Sequence, residues 1–322
     1  MTLPTFTRDR FEDARARIAG SVHRTPLLRS RTLSEWVGAP VYLKCENLQK
    51  TGSFKVRGAL NRLLTLARAD RDRGVVTISA GNHAQAVAWA ASAAGVPSVV
   101  VMPEQASPAK VAASRAYGAE VILHGDARAA FARSFEVAEE RGMTFVHPFD
   151  DEEVVAGHGS VALEILEDLP DVASIIVPVG GGGLVSGICT AAALLRKGVS
   201  VWGVEPDGAP AMSLSLRAGH AVHLERVDTI ADGLAAPMAG VLNHALVERH
   251  AAGVVRVDDR SIASAMKVLL ERCKLLAEPA GAAGLAALLS GAVDPAGAPV
   301  AVVLSGGNVD AGRLGELLAL AE

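Results

Sequence analysis

Aromatic side chains make up only 4% of this 322-residue chain, and cysteine is scarcer still, with three. Half of the residues are nonetheless hydrophobic, so one large core or two modest ones must be packed from small aliphatics on closely approaching elements. Cys45, Cys189 and Cys273 are odd in number, far apart and outside metal-ligand spacing. They exclude a disulfide scaffold and read as small buried hydrophobes in a reducing compartment. An excess of one charge is missing too: 31 Lys and Arg face 35 Asp and Glu, a net charge of −4 without long runs. That leaves no basic stripe for nucleic acid and no polybasic patch for lipid. The most apolar stretch, Ala86 to Met102, is cut by Gly95 and Pro97, and reads as a helix then a strand, not a membrane span. The first twenty residues alternate charged with apolar positions at helical spacing, unlike a signal peptide, and the expected location is the cytoplasm.

What is present is an α/β alternation. Short β-branched runs at 41–45, 75–79, 98–102, 120–123, 144–147, 175–179, 201–205 and 300–304 read as strands. Helical patterns fall between them at 54–67, 84–94, 108–117, 128–140, 154–166, 184–195, 262–272 and 281–289, with a short helix after Asn308. No tandem repeat or linker divides the chain, so a second domain must be an insertion in this pattern.

Four polar or Gly-rich clusters lie where a strand gives way to a helix, the position at which open α/β sheets bind ligands. In Lys50-Thr51-Gly52-Ser53-Phe54-Lys55, Thr51 and Ser53 are candidate N-caps that put Lys55 in the first turn. There the helix dipole disfavours a cation and lowers its pKa, which suits an amine that attacks a carbonyl. On this segment alone a solvated surface lysine is the simpler reading. In Val177-Pro178-Val179-Gly180-Gly181-Gly182-Gly183-Leu184, four glycines before a helix read as a phosphate cradle. The segment lacks the Lys-Ser/Thr ending of a nucleotide P-loop and the G-x-G-x-x-G spacing, so a non-nucleotide phosphate fits best. Ser79-Ala80-Gly81-Asn82-His83 could hold a carboxylate on free amides, Ser79 and Asn82, although a lone His83 is more often structural. Ser305, in Leu304-Ser305-Gly306-Gly307-Asn308, could reach a heterocycle nitrogen. No G-x-S-x-G elbow, H-E-x-x-H, paired C-x-x-C or kinase signature accompanies them.

In this order the four clusters resemble the fold-type II pyridoxal-phosphate family, in its threonine/serine dehydratase (threonine ammonia-lyase) and serine racemase branch. The resemblance runs from His23-Arg24-Thr25-Pro26-Leu27 to Ser305-Gly306-Gly307-Asn308. Between these lie the lysine motif Lys50 to Ala59, the hinge-side Pro148-Phe149-Asp150-Asp151 with Ala156-Gly157-His158-Gly159, and Gly203-Val204-Glu205-Pro206, Ala231-Asp232-Gly233 and Glu278-Pro279-Ala280-Gly281-Ala282. It implies an α/β fold of two open, mostly parallel twisted sheets covered by helices, of the tryptophan synthase β kind. The implied large cofactor domain is 1–69 with 147–322, and the small substrate-side domain is 70–146. A homodimer is implied as well. Lys55 would carry pyridoxal 5′-phosphate as a Schiff base, with Phe54 beside the ring and Asn82 on its 3′ oxygen. Gly180, Gly181, Gly182, Gly183 and the Leu184 amide would hold the phosphate, and Ser305 would face the pyridine nitrogen. Ser79, Asn82 and His83 would grip the substrate carboxylate.

The activity so implied is β-elimination from a β-hydroxy amino acid, L-threonine or L-serine first, to a 2-oxo acid and ammonia, with Lys55 as the base at Cα. A neutral Ser305 cannot keep the ring nitrogen firmly protonated, which favours prompt elimination. Dehydration of 3-hydroxyaspartate or another β-hydroxy amino acid, serine racemisation, and a non-catalytic phosphate-ligand binder are the alternatives. Ala80 stands where serine racemases carry a serine base, which prefers dehydration. Ala211 stands where several relatives carry a second carboxylate for a divalent cation beside Glu205, so no metal is expected. His158 stands where glutamine is common in relatives, and feedback control through the allosteric domain of biosynthetic threonine dehydratases is not expected.

Overall fold

The structure, a computed structural model, describes residues 4–321. Its strands are β1 (Leu27–Ser30), β2 (Val41–Lys44), β3 (Val75–Ile78), β4 (Ser98–Met102), β5 (Glu120–Leu123), β6 (Thr144–Phe145), β7 (Ser174–Pro178), β8 (Ser200–Pro206), β9 (Gly253–Val257) and β10 (Val300–Val303). They form two sheets among the described residues, β1-β2-β10-β7-β8-β9 and β5-β4-β3-β6. Every pairing is parallel except β1 with β2. The four-stranded sheet is one continuous stretch of chain, and the six-stranded sheet is assembled from the residues before and after it.

Central strands read as unbroken apolar runs because helices cover both faces. Ser-Ile-Ile-Val-Pro in β7 and Val-Ala-Val-Val in β10 are buried at every position. One face of the larger sheet packs on helices Arg8–Ile18, Glu152–Asp168, Gly183–Leu195 and Val241–His250. Its other face packs on Asp259–Val268, Pro279–Leu289 and Ala311–Ala319. Small residues set the helix spacing: a Cβ on Gly187 would stand 2.5 Å from the Val155 carbonyl oxygen and 2.7 Å from the Gly159 nitrogen. That approach explains how a core of Ala, Val and Leu closes without aromatics.

Several elements differ from the sequence expectation. β1 and β9 are edge strands with partly exposed positions, so neither shows the apolar run that marks a buried strand. The expected helix 54–67 ends at Thr65, and a separate helix, Arg68–Arg73, follows. The helix expected at 262–272 starts at Asp259 under an Asp258 cap and closes in a π turn, Leu269–Cys273. All three thiols are free; Cys45 and Cys189 are buried, which pushes each up to about 12, whereas Cys273 is only half-buried. No helix among the described residues is long and apolar enough to cross a membrane.

Candidate active site

One cavity of about 730 Å³ opens where the chain leaves the C-terminal ends of β3, β7 and β10, and the four sequence clusters meet in it. Lys55 begins helix Lys55–Thr65, but neither Thr51 nor Ser53 caps that helix. Thr51 takes a left-handed conformation, φ 56°. Ser53 is extended and paired with Gly306, while the Phe54 amide donates to the Ser305 carbonyl at 3.1 Å. Strapping to the loop after β10 therefore delays the helix to Lys55 and sets that lysine beside Ser305.

The Lys55 amine donates to the Pro148 carbonyl at 2.7 Å and lies 5.2 Å from the Phe54 ring centroid. Burial lowers its pKa to about 8. An enclosed ammonium with no carboxylate to offset lost water is held below its ordinary value by desolvation, a cause the local sequence did not supply. Phe54 is fixed from behind by an edge-on contact with His158, 4.7 Å between centroids.

The glycine run turns directly into helix Gly183–Leu195, so the amides of Gly182, Gly183 and Leu184 have no intrahelical acceptor and the helix dipole adds positive potential. Gly182 needs glycine for its φ of 98°. Gly181 needs it for space, since a Cβ there would stand only 2.4 Å from Cγ and Cδ1 of the Phe149 ring. The Gly181 carbonyl accepts the Gly240 amide at 3.0 Å and Asn243 Nδ2 at 2.9 Å, which fixes the cradle from below.

Across the cavity, Ser79 Oγ accepts the Gly81 amide at 3.0 Å, and Asn82 opens helix Asn82–Ala94. Asn82 Nδ2 donates to Glu278 at 2.6 Å, and its Oδ1 accepts Asn308 Nδ2 at 2.9 Å, so both ends of the amide are tied to the opposite wall. His83 also lines the cavity, but its Nε2 lies 3.3 Å from the Val146 carbonyl, and burial holds its pKa well below the imidazole norm. That orientation leaves the backbone amide of His83, at the helix start, as its group for an anion. Ser305 is buried, with its hydroxyl only weakly engaged, 3.4 Å from the Ala280 carbonyl.

Two features went unseen in the sequence. Glu278 lines the cavity with a carboxyl that burial raises to about 7. An acid preceding Pro279 at a helix start looks like a solvated cap, and nothing local signals its burial. Arg57 is wholly buried, donating to Glu46 at 2.8 Å and to Glu164 at 2.7 and 2.9 Å, while Lys44 reaches Glu164 at 2.6 Å. This four-charge cluster clamps the turn after Lys55 to the end of β2 and to helix Glu152–Asp168. Glu205 is also engaged: its oxygens accept the Met212 and Ser213 amides and the Ser213 hydroxyl at the start of helix Ala211–Ala218.

Comparison with known proteins agrees with this arrangement. Residues 18–306 match the family model described as pyridoxal-phosphate dependent enzyme. The L-threonine ammonia-lyase of Thermotoga maritima is 45% identical over 313 residues, 97% of this chain and 78% of that protein. The catabolic L-threonine dehydratase of Escherichia coli K12 is 40% identical over 308 residues, 95% of this chain and 94% of that one. The solved structure of maize serine racemase superposes with a TM-score of 0.93 at 39% identity, covering 97% of each chain. The chain belongs to the pyridoxal-phosphate-dependent enzyme family, and its fold is the two-sheet α/β architecture of that family.

The residues present suit that cofactor. Glycines too crowded for a side chain line an amide cradle for the phosphate, a desolvated lysine faces the same space, and the Ser305 hydroxyl has only a long contact to give up.

Proposed function

We propose that this protein removes the β-hydroxyl of a small amino acid, L-threonine or L-serine first, and releases the 2-oxo acid and ammonia. The observation that carries the reading is the Lys55 amine, desolvated to a pKa of about 8 and held only by a carbonyl. A general base works best when its pKa lies near the operating pH. Bound pyridoxal phosphate would supply the electron sink that acidifies the substrate Cα–H. Lys55 would take the cofactor aldehyde when substrate is absent and move the Cα proton when it is present. The glycine run and the Leu184 amide would anchor the phosphate, Phe54 would flank the ring, Asn82 would meet its 3′ oxygen, and Ser305 would face its nitrogen. Ser79, Asn82 and the His83 amide would orient the substrate carboxylate.

Segment 70–146 would act as a small domain closing on the rest, 1–69 with 147–322. The cytoplasm suits three free thiols. A homodimer would cover Leu28, Leu48 and Leu276, apolar side chains more than 40% exposed, two of them next to Asn47 and the third on β1.

Steady-state formation of oxo acid from L-threonine, L-serine, their D-forms and 3-hydroxyaspartate tests the reading. Turnover of L-threonine or L-serine is expected, and turnover of none would overturn it. Lys55→Ala is expected to abolish both the visible Schiff-base band and activity. A protein that cannot be loaded with cofactor would instead be a phosphate-ligand binder.

A further inference from the structure

The turn His147-Pro148-Phe149-Asp150, where the chain leaves the four-stranded sheet after β6, reaches Lys55, the glycine run and the start of helix Val241–His250, and its first residue lies outside the expected site set. Its conformation is closed by one atom. His147 Nδ1 accepts the Asp150 amide at 2.8 Å and the Phe149 amide at 3.2 Å. An atom that accepts two N–H groups carries no proton, so the ring is neutral with its hydrogen on Nε2. Burial lowers the His147 pKa, which the facing charges of Asp150 and Asp151 oppose and that of Lys55 reinforces. The ring stands edge-on to Phe149 at 4.6 Å and to Phe145 at 6.0 Å.

Each of the next three residues carries a separate load. The Pro148 carbonyl receives the Lys55 amine at 2.7 Å. The Phe149 ring packs on Gly181 in the space where a Cβ would be, and its carbonyl accepts Asn243 Nδ2, which also holds the Gly181 carbonyl. Asp150 caps helix Val241–His250, accepting the Val241 and Leu242 amides at 3.1 Å each.

We propose that His147 is a positioning residue for the elimination, its Nδ1 closing the turn that aims Lys55 through Pro148 and seats the glycine loop through Phe149. The inference rests on the function proposed above. A phenylalanine at 147 keeps the ring contacts and loses the acceptor. An asparagine loses the ring and places Oδ1 where Nδ1 stands. The two changes therefore separate hydrogen bonding from packing.

The experiment compares cofactor-loaded wild type with His147→Phe and His147→Asn by kcat, KM, the visible Schiff-base band and the dissociation constant of pyridoxal phosphate. His147→Phe is expected to lose about 10²-fold in kcat, the cost of misplacing a reacting group by about 1 Å, with KM within about threefold, a shifted band and weaker cofactor binding. His147→Asn is expected to recover the band and most of kcat. A His147→Phe enzyme with wild-type kcat and spectrum, or a His147→Asn enzyme equally impaired, would overturn the proposal. Should His147→Phe not fold, His147→Gln replaces it, since glutamine sets its acceptor at the Nε2 position. If wild type turned over no β-hydroxy amino acid, the elimination reading would fail by itself. The band and cofactor affinity would still decide the role of His147.

Discussion

Replacing Arg57 by methionine leaves two carboxylates, Glu46 and Glu164, buried with a single cation, Lys44. In the native cluster two positive and two negative side chains are all at most 5% exposed, and Arg57 supplies two charged hydrogen bonds to Glu46, which also accepts the Thr25 hydroxyl. Removing one partner of such a cluster costs about 3–5 kcal/mol, because the orphaned charge keeps its desolvation penalty. For a chain of this size that corresponds to roughly 4–7 °C in thermal midpoint. The pH dependence makes the reasoning specific. Burial raises the Glu46 carboxyl, but Arg57, with Lys44 and the Thr25 hydroxyl, together outweigh it and hold the pKa below the usual carboxylate range. In wild type that stability is present above the unfolded pKa of about 4.3 and is lost as pH falls through the lower folded value. Without Arg57 only Lys44 and the Thr25 hydroxyl oppose the burial effect, and the folded pKa is expected to rise above about 4.3, so that stability is lost as pH rises through it instead. The deficit of Arg57→Met should accordingly be large at pH 8 and smaller at pH 5. Denaturant titrations of cofactor-free protein at both pH values measure it. A deficit equal at the two, or below about 1 kcal/mol, would refute the account.

Gly181→Ala must expel the Phe149 ring, an overpacking cost of about 1–3 kcal/mol that should weaken pyridoxal phosphate about tenfold or more, and an unchanged cofactor titration would contradict it. Glu278, raised to about 7 by burial, contributes stability below its unfolded pKa that is lost as pH rises through about 7, and glutamine cannot ionise. The stability of Glu278→Gln relative to wild type should therefore improve between pH 5 and pH 8 in thermal melts; a constant gap would show Glu278 titrating normally. Ala80 lines the cavity, and Ala80→Ser should yield D-serine from L-serine in a chiral assay. Lyase activity without any D-serine would remove residue 80 as the determinant.

The legible parts of the molecule were those whose cause is local. Apolar runs of β-branched residues announce β7 and β10, and four successive glycines announce an anion cradle, because only backbone dictates that choice. β1 and β9, half-exposed at sheet edges, carry no such run. Thr51 and Ser53 look like caps by composition, and the pairing of Ser53 with Gly306, more than 250 residues away, overrides that preference. The same holds in the site. The pKa of Lys55 depends on enclosure by distant segments, and Glu278 and His147 gain their surroundings only when the two sheets stand together.

The maize serine racemase frame fits this chain along nearly its whole length, so the backbone is common to both chemistries and side chains must select between them. Sorting the charged groups on the cavity wall by what holds them is informative. Asp232 is matched by Lys110 at 4.0 Å and Arg313 at 3.3 Å. Glu278 is tied to Asn82, and the His83 ring faces the Val146 carbonyl in a site too buried for its charged form. Lys55 differs from each: its partner is an uncharged carbonyl that it can leave without stranding an ion, and its pKa permits either protonation state near neutrality. Racemisation needs a second group of that kind on the opposite face of the substrate, and at the position where the resemblance would put it, in the loop after β3, the chain has Ala80. On the function proposed above, a proton removed by Lys55 would have only Lys55 to return it, on the face from which it came. Net change follows only if the β-hydroxyl departs first, which makes elimination the reaction this arrangement favours.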